Sequence, residues 1–370
     1  MLFDSGAPPA AAYAAAASAV HVAGPDAQQS DGRAAALKAQ VRQFAQHCAQ
    51  FRTPDTRKAI TQIVTTAVPF VALVTAMIVL AGETYWASLL LALPAGGLLV
   101  RFFIIQHDCG HGSFLGSRQG NDLIGRAMSI MTLTPYGLWR REHAMHHAGS
   151  GNLERRGVGD IETWTVDEYL SKGWFARLQY RIYRNPAFLF GLGVPAYFLL
   201  VQRVPWGHGL PFRDAWKSIS GLNLAIALIY GGLAWVLGFG LLLKVLVPIV
   251  VVAAAAGGWL FFIQHQFEET HWDVPASWDF QTAAVHGSSY YVLPKVLQWF
   301  TGNIGLHHIH HLNSMIPNYR LQECMDALPS LATVNRLTIA ESIACVRLTL
   351  WDPARRRLIG FADLDRSQAA

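Results

Sequence analysis

Four long stretches without charged side chains dominate the alternation of polar and apolar positions. They cover about residues 59–82, 84–106, 219–240 and 245–266, with Arg101 as the one charged residue inside them. Each is close to the roughly 20 residues that a helix needs to cross a bilayer. Very short turns join the first stretch to the second and the third to the fourth. The pattern predicts an all-α membrane protein with four transmembrane helices in two hairpins, and Arg101 can extend towards the headgroups.

The polar regions complete the predicted domain organisation. Residues 1–32 are alanine-rich without an apolar periodicity, so we expect a disordered tail. Residues 33–58 place basic side chains on one side of a helical pattern that Pro54 should end, which favours an amphipathic helix on the membrane surface over a short soluble helix. Residues 59–322 form the membrane domain, and residues 323–370 are expected to be a cytosolic C-terminal segment.

The composition supports this interpretation and indicates an orientation. Hydrophobic residues make up 52% of the chain and charged residues 14%, against about a quarter charged in soluble domains. Lysine and arginine nearly avoid the two hairpin turns and concentrate in the other polar regions. This predicts a multi-pass protein of the cytoplasmic membrane, with both termini in the cytoplasm. Because the basic residues flank the apolar stretches, the net charge of +5 favours anionic lipid headgroups over nucleic acid.

Histidines cluster in three five-residue windows near the ends of the apolar stretches. Together the windows hold nine of the fifteen histidines. Residues three and four apart lie on one face of a helix, so the imidazoles of each window should point into one space. The windows are HDCGH, with His107 and His111; HAMHH, with His143, His146 and His147; and HHIHH, with His307, His308, His310 and His311.

Eight facing imidazoles predict a site for two metal ions, since a closed zinc site takes four ligands. Imidazole suits iron, copper, zinc and nickel. Zinc hydrolases with an H-E-x-x-H motif keep a glutamate between the histidines, whereas Glu142 precedes its window here. A redox-active pair of irons that activates O2 at the membrane surface therefore fits better.

Further residues near the windows are candidates for supporting roles. His265, at the end of the fourth stretch, is a candidate ninth ligand because ionisable residues at membrane depth are usually functional. His308 points about 100° away from His307 on a helix, so we expect it beside the site or on the surface rather than on a metal. Carboxylates that could hydrogen-bond the outer imidazole nitrogens are Asp108, Asp160, Glu162, Glu268 and Glu269.

One more uncharged stretch, residues 185–202, tests the predicted topology. A single crossing there would place the second and third histidine windows on opposite sides of the membrane. Since three windows that serve one site must share a side, we expect this stretch to lie in the interface or to re-enter. Its prolines and glycines agree with that placement.

At these residues the chain resembles the integral-membrane fatty acid desaturases. Their three histidine boxes have the forms H-x(3-4)-H, H-x(2-3)-H-H and [HQ]-x(2-3)-H-H, which match HDCGH, HAMHH and HHIHH. The segments HDCGHGSF, GVGDIETWTVDEY and SSYYVLPKVLQWFTGNIGLHHIHHLNSMIPNY look like the bacterial acyl-lipid branch, and HDCGHGSF looks like the ω-6 desaturases. The similarity covers about residues 35 to 360.

The resemblance implies a four-helix membrane fold, a cytosolic cap and a di-iron centre. The reaction would be removal of two hydrogens from an acyl chain with O2, giving a cis double bond, with a monounsaturated lipid or acyl thioester as substrate. The box histidines carry over as ligands, with His265 as the candidate ninth, although Phe261 stands where acyl-CoA members have an asparagine. The chain has no His-Pro-Gly-Gly haem motif, so electrons would come from a separate ferredoxin-type or b5-type donor.

Two other functions remain open at the level of the sequence. A hydroxylase or ketolase of the same superfamily would keep the metal chemistry and change the product. A metal transporter would also use histidines as ligands, but transporters place polar ligands in the middle of the membrane. Here the windows lie at or beyond the ends of the apolar stretches, which favours the enzyme.

Overall fold

The computed structural model describes residues 25–157, 159–206 and 210–369. The predicted disordered tail lies outside these residues over positions 1–24, and a helix begins at Pro25, within the range expected for the tail. The described residues are mostly helical, and their strands are two or three residues long. The prediction of an all-α membrane protein is confirmed.

The elements of the described residues are numbered in chain order. The helices are α1 (Pro25–Cys48), α2 (Thr56–Glu83), α3 (Tyr85–His111), α4 (Arg118–Thr132), α5 (Tyr136–Gly149), α6 (Val166–Ser171), α7 (Trp174–Tyr183), α8 (Phe212–Leu237), α9 (Phe239–His265), α10 (Phe280–His286), α11 (Lys295–Phe300), α12 (His307–Leu312), α13 (Asn318–Ala327), α14 (Ile339–Ala344) and α15 (Phe361–Ala369). Short 3-10 helices lie at Ala49–Phe51, Pro329–Thr333 and Cys345–Arg347. The strands are β1 (Trp164–Thr165), β2 (Tyr290–Tyr291), β3 (Arg336–Leu337), β4 (Leu350–Asp352) and β5 (Arg357–Ile359).

Two hairpins of long helices form the apolar part of the protein. Helices α2 and α3 form one hairpin and α8 and α9 the other, and each helix is 26 to 28 residues long and apolar enough to cross a membrane. Gly238 joins the second pair with a φ of 85°, a conformation that glycine adopts without steric cost. Helices α3 and α9 end on His111 and His265, so the helices of the hairpins themselves carry histidines towards the site.

Helix α3 is the central helix of the apolar part and packs against α2, α4 and α9. Gly96 permits the close approach of α9, because a Cβ there would lie 2.5 Å from a methyl carbon of Val252. Arg101 does not extend to the headgroups as expected, since it is buried. It donates to the Thr66 hydroxyl at 3.2 Å and to the carbonyl of Trp299, and thereby ties α3 to α11.

A fifth stretch, Pro186–Arg203, is also long and apolar enough to cross a membrane. It is not one regular helix: a short α-helical piece, a π-helical piece at Leu189–Gly193, another α-helical piece and a 3-10 turn follow one another. Val194 packs against Gly258 of α9. That this stretch lies in the membrane interface stays a prediction.

The remaining elements form a cap next to the histidine-bearing ends of α3 and α9. Helix α1 ends at Cys48, before Pro54, and buries Val41 and Phe44 in a core shared with α10, α12 and α13. Its location on the membrane surface stays a prediction. Strands β1, β4 and β5 form one small sheet, and β2 pairs with β3 in a second.

Candidate metal centre

Hydrogen bonds fix the first histidine window to the helix that carries the second window and to the helix that follows the third. The window forms the last turns of α3, the second window lies on α5, and the third forms most of α12. Tyr136, at the start of α5, donates its hydroxyl to the Cys109 carbonyl at 2.8 Å. Asn318, at the start of α13, donates its backbone N–H and side-chain amide to Asp108 Oδ2 at 2.6 and 2.8 Å. The three windows therefore converge through contacts made by their own neighbours.

The nine histidines predicted as ligands lie in two adjoining groups. Within each group, one ring nitrogen of every member lies within 4.8 Å of the others. The rings of His147 and His311 stack across the boundary, with centroids 4.1 Å apart. The first group is His107, His111, His143, His147 and His310, and the second is His146, His265, His307 and His311.

The Nε2 atoms of these rings approach one another at the spacing of ligands around an ion. Nε2 of His265 lies 3.2 Å from that of His146 and 3.1 Å from that of His307. In the first group, Nε2 of His143 and His147 are 3.0 Å apart. Two nitrogens at right angles, each about 2.1 Å from an ion, are about 3.0 Å apart. The arrangement can thus hold a metal ion in each group.

Acceptors hydrogen-bond the outer nitrogens of two rings, and a carboxylate lies beside the outer nitrogen of a third. A ring whose Nδ1–H donates outward keeps the lone pair of Nε2 pointing into the site, as a metal ligand requires. These hydrogen bonds join His107 Nδ1 to Asp108 and His265 Nδ1 to the carbonyl oxygen of Gly287, both at 2.9 Å. Asp160 lies 2.5 Å from His146 Nδ1, in a close contact without hydrogen-bond geometry.

Two buried ring nitrogens test whether the donor set fits a metal ion. Nε2 of His111 and Nε2 of His311 are buried and have no hydrogen-bond partner among the described residues. Leaving a buried polar atom unpaired costs about 1–3 kcal/mol. A metal ion bound by each group would satisfy these atoms, so the donor set fits resident metal.

The titration of the site also favours metal binding. Burial lowers the pKa of the box histidines outside the long apolar helices well below its usual range, and neighbouring imidazoles lower it further. These rings are therefore neutral at physiological pH, and neutral imidazole is the form that binds metal. They are His143, His147, His307, His310 and His311.

Two residues at the site lie outside both groups. His308 is fully buried rather than on the surface, and its Nε2 lies 3.0 Å from the carbonyl oxygen of Leu331. Phe261 faces the second group, with its ring centroid 5.7 Å from that of His146 and 6.2 Å from that of His265. It offers an apolar wall in place of a polar side chain.

The five candidate carboxylates divide into those that contact the histidines and those that do not. Asp108 and Asp160 make the contacts described above. Glu162 accepts from the indole of Trp164 at 2.8 Å. Glu268 pairs with an arginine of β5 on the surface, and Glu269 is exposed.

The window pattern alone did not predict how the histidines of each window divide between the two groups. His143 and His147, four residues apart, lie in the first group, whereas His146 joins the second. The spacing holds the signal: residues four apart differ by about 40° around a helix, and residues three apart by about 60° in the other direction. The Gly287 carbonyl, 22 residues from the ring it fixes, gives no local signal at all.

Comparison with known proteins agrees with this geometry. A sequence model of the family described as fatty acid desaturase matches residues 84–341. A "Fatty acid desaturase" of Bacillus subtilis (strain 168) is 36% identical over 320 residues, which cover 86% of this chain and 90% of that protein.

Two proteins of Synechocystis sp. are also similar. The "sn-1 acyl-lipid omega-3 desaturase (ferredoxin)" is 29% identical over 249 residues, 63% of this chain and 65% of that protein. The "sn-1 oleoyl-lipid 12-desaturase" is 24% identical over 244 residues, 61% of this chain and 64% of that protein. Since the family match spans more than half of the chain and the Bacillus relative nearly all of it, this membrane protein belongs to the fatty acid desaturase family, oxidoreductases that act with O2.

Proposed function

We propose that the protein introduces a cis double bond into an acyl chain of a membrane lipid, using O2 and a pair of iron ions bound by the nine histidines. The observation that carries this proposal is the pair of adjoining imidazole groups at the ends of two long apolar helices. There an acyl chain can reach the metal centre from the apolar part of the membrane, while the metal centre stays among the histidines at the helix ends.

The donor set supports the metal assignment. The group with His143 would hold one ion and the group with His265 the other. Imidazole favours iron, copper and zinc over magnesium and calcium, and among these iron suits a reaction with O2. The bound pair would supply the oxidation of an unactivated C–H bond, for which protein side chains lack the redox capacity. Overall, the acyl chain loses two hydrogens, and O2 with two electrons and two protons forms two waters.

The chain's own residues bind, orient and exclude water. Asp108 and the Gly287 carbonyl hydrogen-bond the outer nitrogens of His107 and His265, and Asp160 lies beside that of His146. All of the nine histidines except His111 and His143, which are half-buried, are buried. This burial excludes water from the reacting atoms. Phe261 presents an apolar surface beside the second group.

The substrate is proposed to be a monounsaturated chain, desaturated in the ω-6 or Δ12 manner. This is supported by the likeness of HDCGHGSF to ω-6 desaturases and by the similar oleoyl-lipid 12-desaturase of Synechocystis. The printed name of a second relative includes ferredoxin, which supports a ferredoxin-type electron donor. The basic residues of the polar regions support a cytoplasmic location of the metal centre and both termini.

The test is a fatty acid profile of whole-cell lipids by gas chromatography and mass spectrometry. The host receives oleate and a ferredoxin system, and expresses either the native chain or His310→Ala. We expect a new diene in the native strain only, and the fragmentation gives its position. Iron content of both purified proteins is measured in parallel, with about two ions expected in the native chain.

Other products would change the proposal in defined ways. A hydroxylated or keto acyl chain would replace desaturation by oxygenation at the same metal centre. An unchanged lipid profile, with iron bound and the protein intact, would contradict the fatty-acyl substrate. A diene formed equally by His310→Ala would contradict the assignment of this histidine as a ligand.

A further inference from the structure

A large groove, lined by none of the histidines, lies on the polar side of the apolar helices. Its volume is about 1290 Å³, and it is lined by the start of the Pro186–Arg203 stretch, by Phe267 and Glu268 after α9, and by residues of β3, β5, α14 and α15. Small-molecule sites are concave and typically occupy about 300–1,000 Å³. The groove is therefore large enough to hold a ligand of that size.

Arginine is the dominant charged residue of this groove. Seven arginines line it against four carboxylates. Some are already paired, as Arg357 is with Glu268 at 2.8 Å. Arg336 and Arg347 are exposed and make no ion pair within the part of the chain that the structure describes. Both residues line the groove and make no side-chain hydrogen bond to the described residues, although the charge of Arg336 also acts on Glu341 of the same groove.

The groove lies at the level where apolar helices meet polar chain. Pro186, the first residue of one candidate membrane stretch, lines it, and Phe267 follows the last residue of α9 by two positions. Two residues span at most about 7 Å, so this wall of the groove is close to the end of α9. In a membrane protein that level is the lipid headgroup region.

Two short helices beside the groove present apolar side chains outward. Trp174, Leu178 and Ile182 of α7 are exposed on one face, and Ile339 and Ile343 of α14 are exposed likewise. Helix α7 also provides Arg181, and α14 provides Ala344, to the groove wall. Exposed apolar faces next to basic residues are the pattern of helices that lie in the membrane interface.

We propose that the groove binds the phosphate of an anionic phospholipid headgroup, with Arg336 and Arg347 as its principal contacts. Guanidinium donors match phosphate oxygens in a bidentate fork, and basic pockets beside membrane helices bind anionic headgroups. The exposed apolar faces of the two short helices beside the groove favour a headgroup at the membrane interface over a protein partner. The groove would hold a lipid next to the chain segment that leads to the metal centre.

The experiment uses the full-length protein in a neutral detergent, titrated with phosphatidylglycerol or phosphatidylcholine. Native mass spectrometry counts the lipids retained, and the shift in Tm gives the affinity. We expect one phosphatidylglycerol per chain with a raised Tm, and little retention of phosphatidylcholine. The Arg336→Ala, Arg347→Ala double variant should weaken phosphatidylglycerol binding on the order of tenfold, and the corresponding double lysine variant should bind with intermediate affinity.

The matched control is Arg52→Ala with Arg57→Ala. Both are exposed arginines beside the start of α2, and neither lines the groove. This variant removes the same charge near another candidate membrane helix and should keep the native affinity within about twofold. Equal weakening in both double variants would contradict a specific site and leave only a general attraction of basic residues to anionic lipid.

Two further probes distinguish the source of the phosphate. Glycerol 3-phosphate and coenzyme A are added as competitors of the lipid. If either displaces the lipid at equal concentration, the ligand of the groove is a soluble phosphoester and not a membrane lipid. A reduced [2Fe–2S] ferredoxin whose binding is lost in the groove variant, with lipid retention unchanged, would overturn the proposal in favour of a protein-docking surface. These measurements need no turnover, so they stand whether or not the proposed desaturation is correct.

Discussion

His307 and His308 are adjacent in the third window and both are buried, but their side chains make different contacts. His307 contributes to the second histidine group, with Nε2 3.1 Å from that of His265. His308 points into the cap and meets the Leu331 carbonyl at 3.0 Å. We therefore expect His307 to bind metal and His308 to stabilise the packing of the cap. Because the two side chains are chemically identical, substituting each in turn compares the two roles directly.

The first prediction compares His307→Ala with His308→Ala. We expect His307→Ala to lose iron and desaturation, because it removes a donor from the second group. His308→Ala should keep about two irons while unfolding at a lower temperature, since losing a buried hydrogen bond costs about 1–3 kcal/mol. Metal analysis and Tm of both purified variants give the result. Loss of iron from a folded His308→Ala protein would contradict the division of roles.

The second prediction concerns the carboxylate that holds His146. In Asp160→Asn the contact at 2.5 Å loses its charge, and such changes next to a ligand typically lower metal affinity or activity by about 10–100-fold. Iron retained after dialysis against a chelator measures the effect. Glu269→Gln is the control, because this exposed residue makes no ion pair with the described residues. Equal iron retention in both variants would show that Asp160 has no positioning role.

At the scale of elements, Tyr136 connects the helices of the first two windows. It packs against Gly125 of α4 so closely that a Cβ there would lie 2.2 Å from its ring. The ring cannot retreat easily, because its hydroxyl is held by the Cys109 carbonyl and by Asp122 at 2.8 and 2.9 Å. The position of α5 therefore depends on the absence of a side chain at residue 125.

The third prediction is that Gly125→Ala destabilises the protein by about 1–3 kcal/mol through overpacking. The matched control is Gly231→Ala in α8, where a Cβ would meet nothing within 4 Å. Replacing that helical glycine should leave stability unchanged or raise it by up to about 1 kcal/mol. Tm measured in detergent distinguishes the two variants, and equal Tm values would contradict the packing argument.

The elements also show where sequence reasoning was sufficient and where it failed. The apolar stretches predicted α2, α3, α8 and α9, because length and lack of charge need no tertiary information. The histidine windows predicted a shared site because the spacing of histidines along a helix is also a local property. By contrast, the burial of Arg101 depends on Thr66 and Trp299, which lie far away in the chain. The sequence already made His265 the candidate ninth ligand and kept His308 off the metal, but no local pattern reveals the contacts of their rings with Gly287 and Leu331.

At the scale of the whole molecule, the histidine groups constrain the path of the chain through the membrane. His147 and His265 belong to adjoining groups, so the chain between them must begin and end on the same side. Helices α8 and α9 supply two crossings in that interval. A third crossing by Pro186–Arg203 would place His147 and His265 on opposite sides of the membrane, although the length and composition of the stretch would permit one. We therefore propose four crossings, with this stretch in the interface.

The last prediction tests this topology by labelling single introduced cysteines with a membrane-impermeant maleimide. The four native cysteines are buried and give little background. In intact cells we expect labelling of Thr84→Cys in the first hairpin turn, and none of Arg118→Cys after the first window. Trp206→Cys, exposed just after Pro186–Arg203, should behave like Arg118→Cys and become labelled only when the membrane is opened. Labelling of Trp206→Cys from outside would mean that the stretch crosses the membrane, which the shared side of His147 and His265 forbids unless α8 or α9 fails to cross.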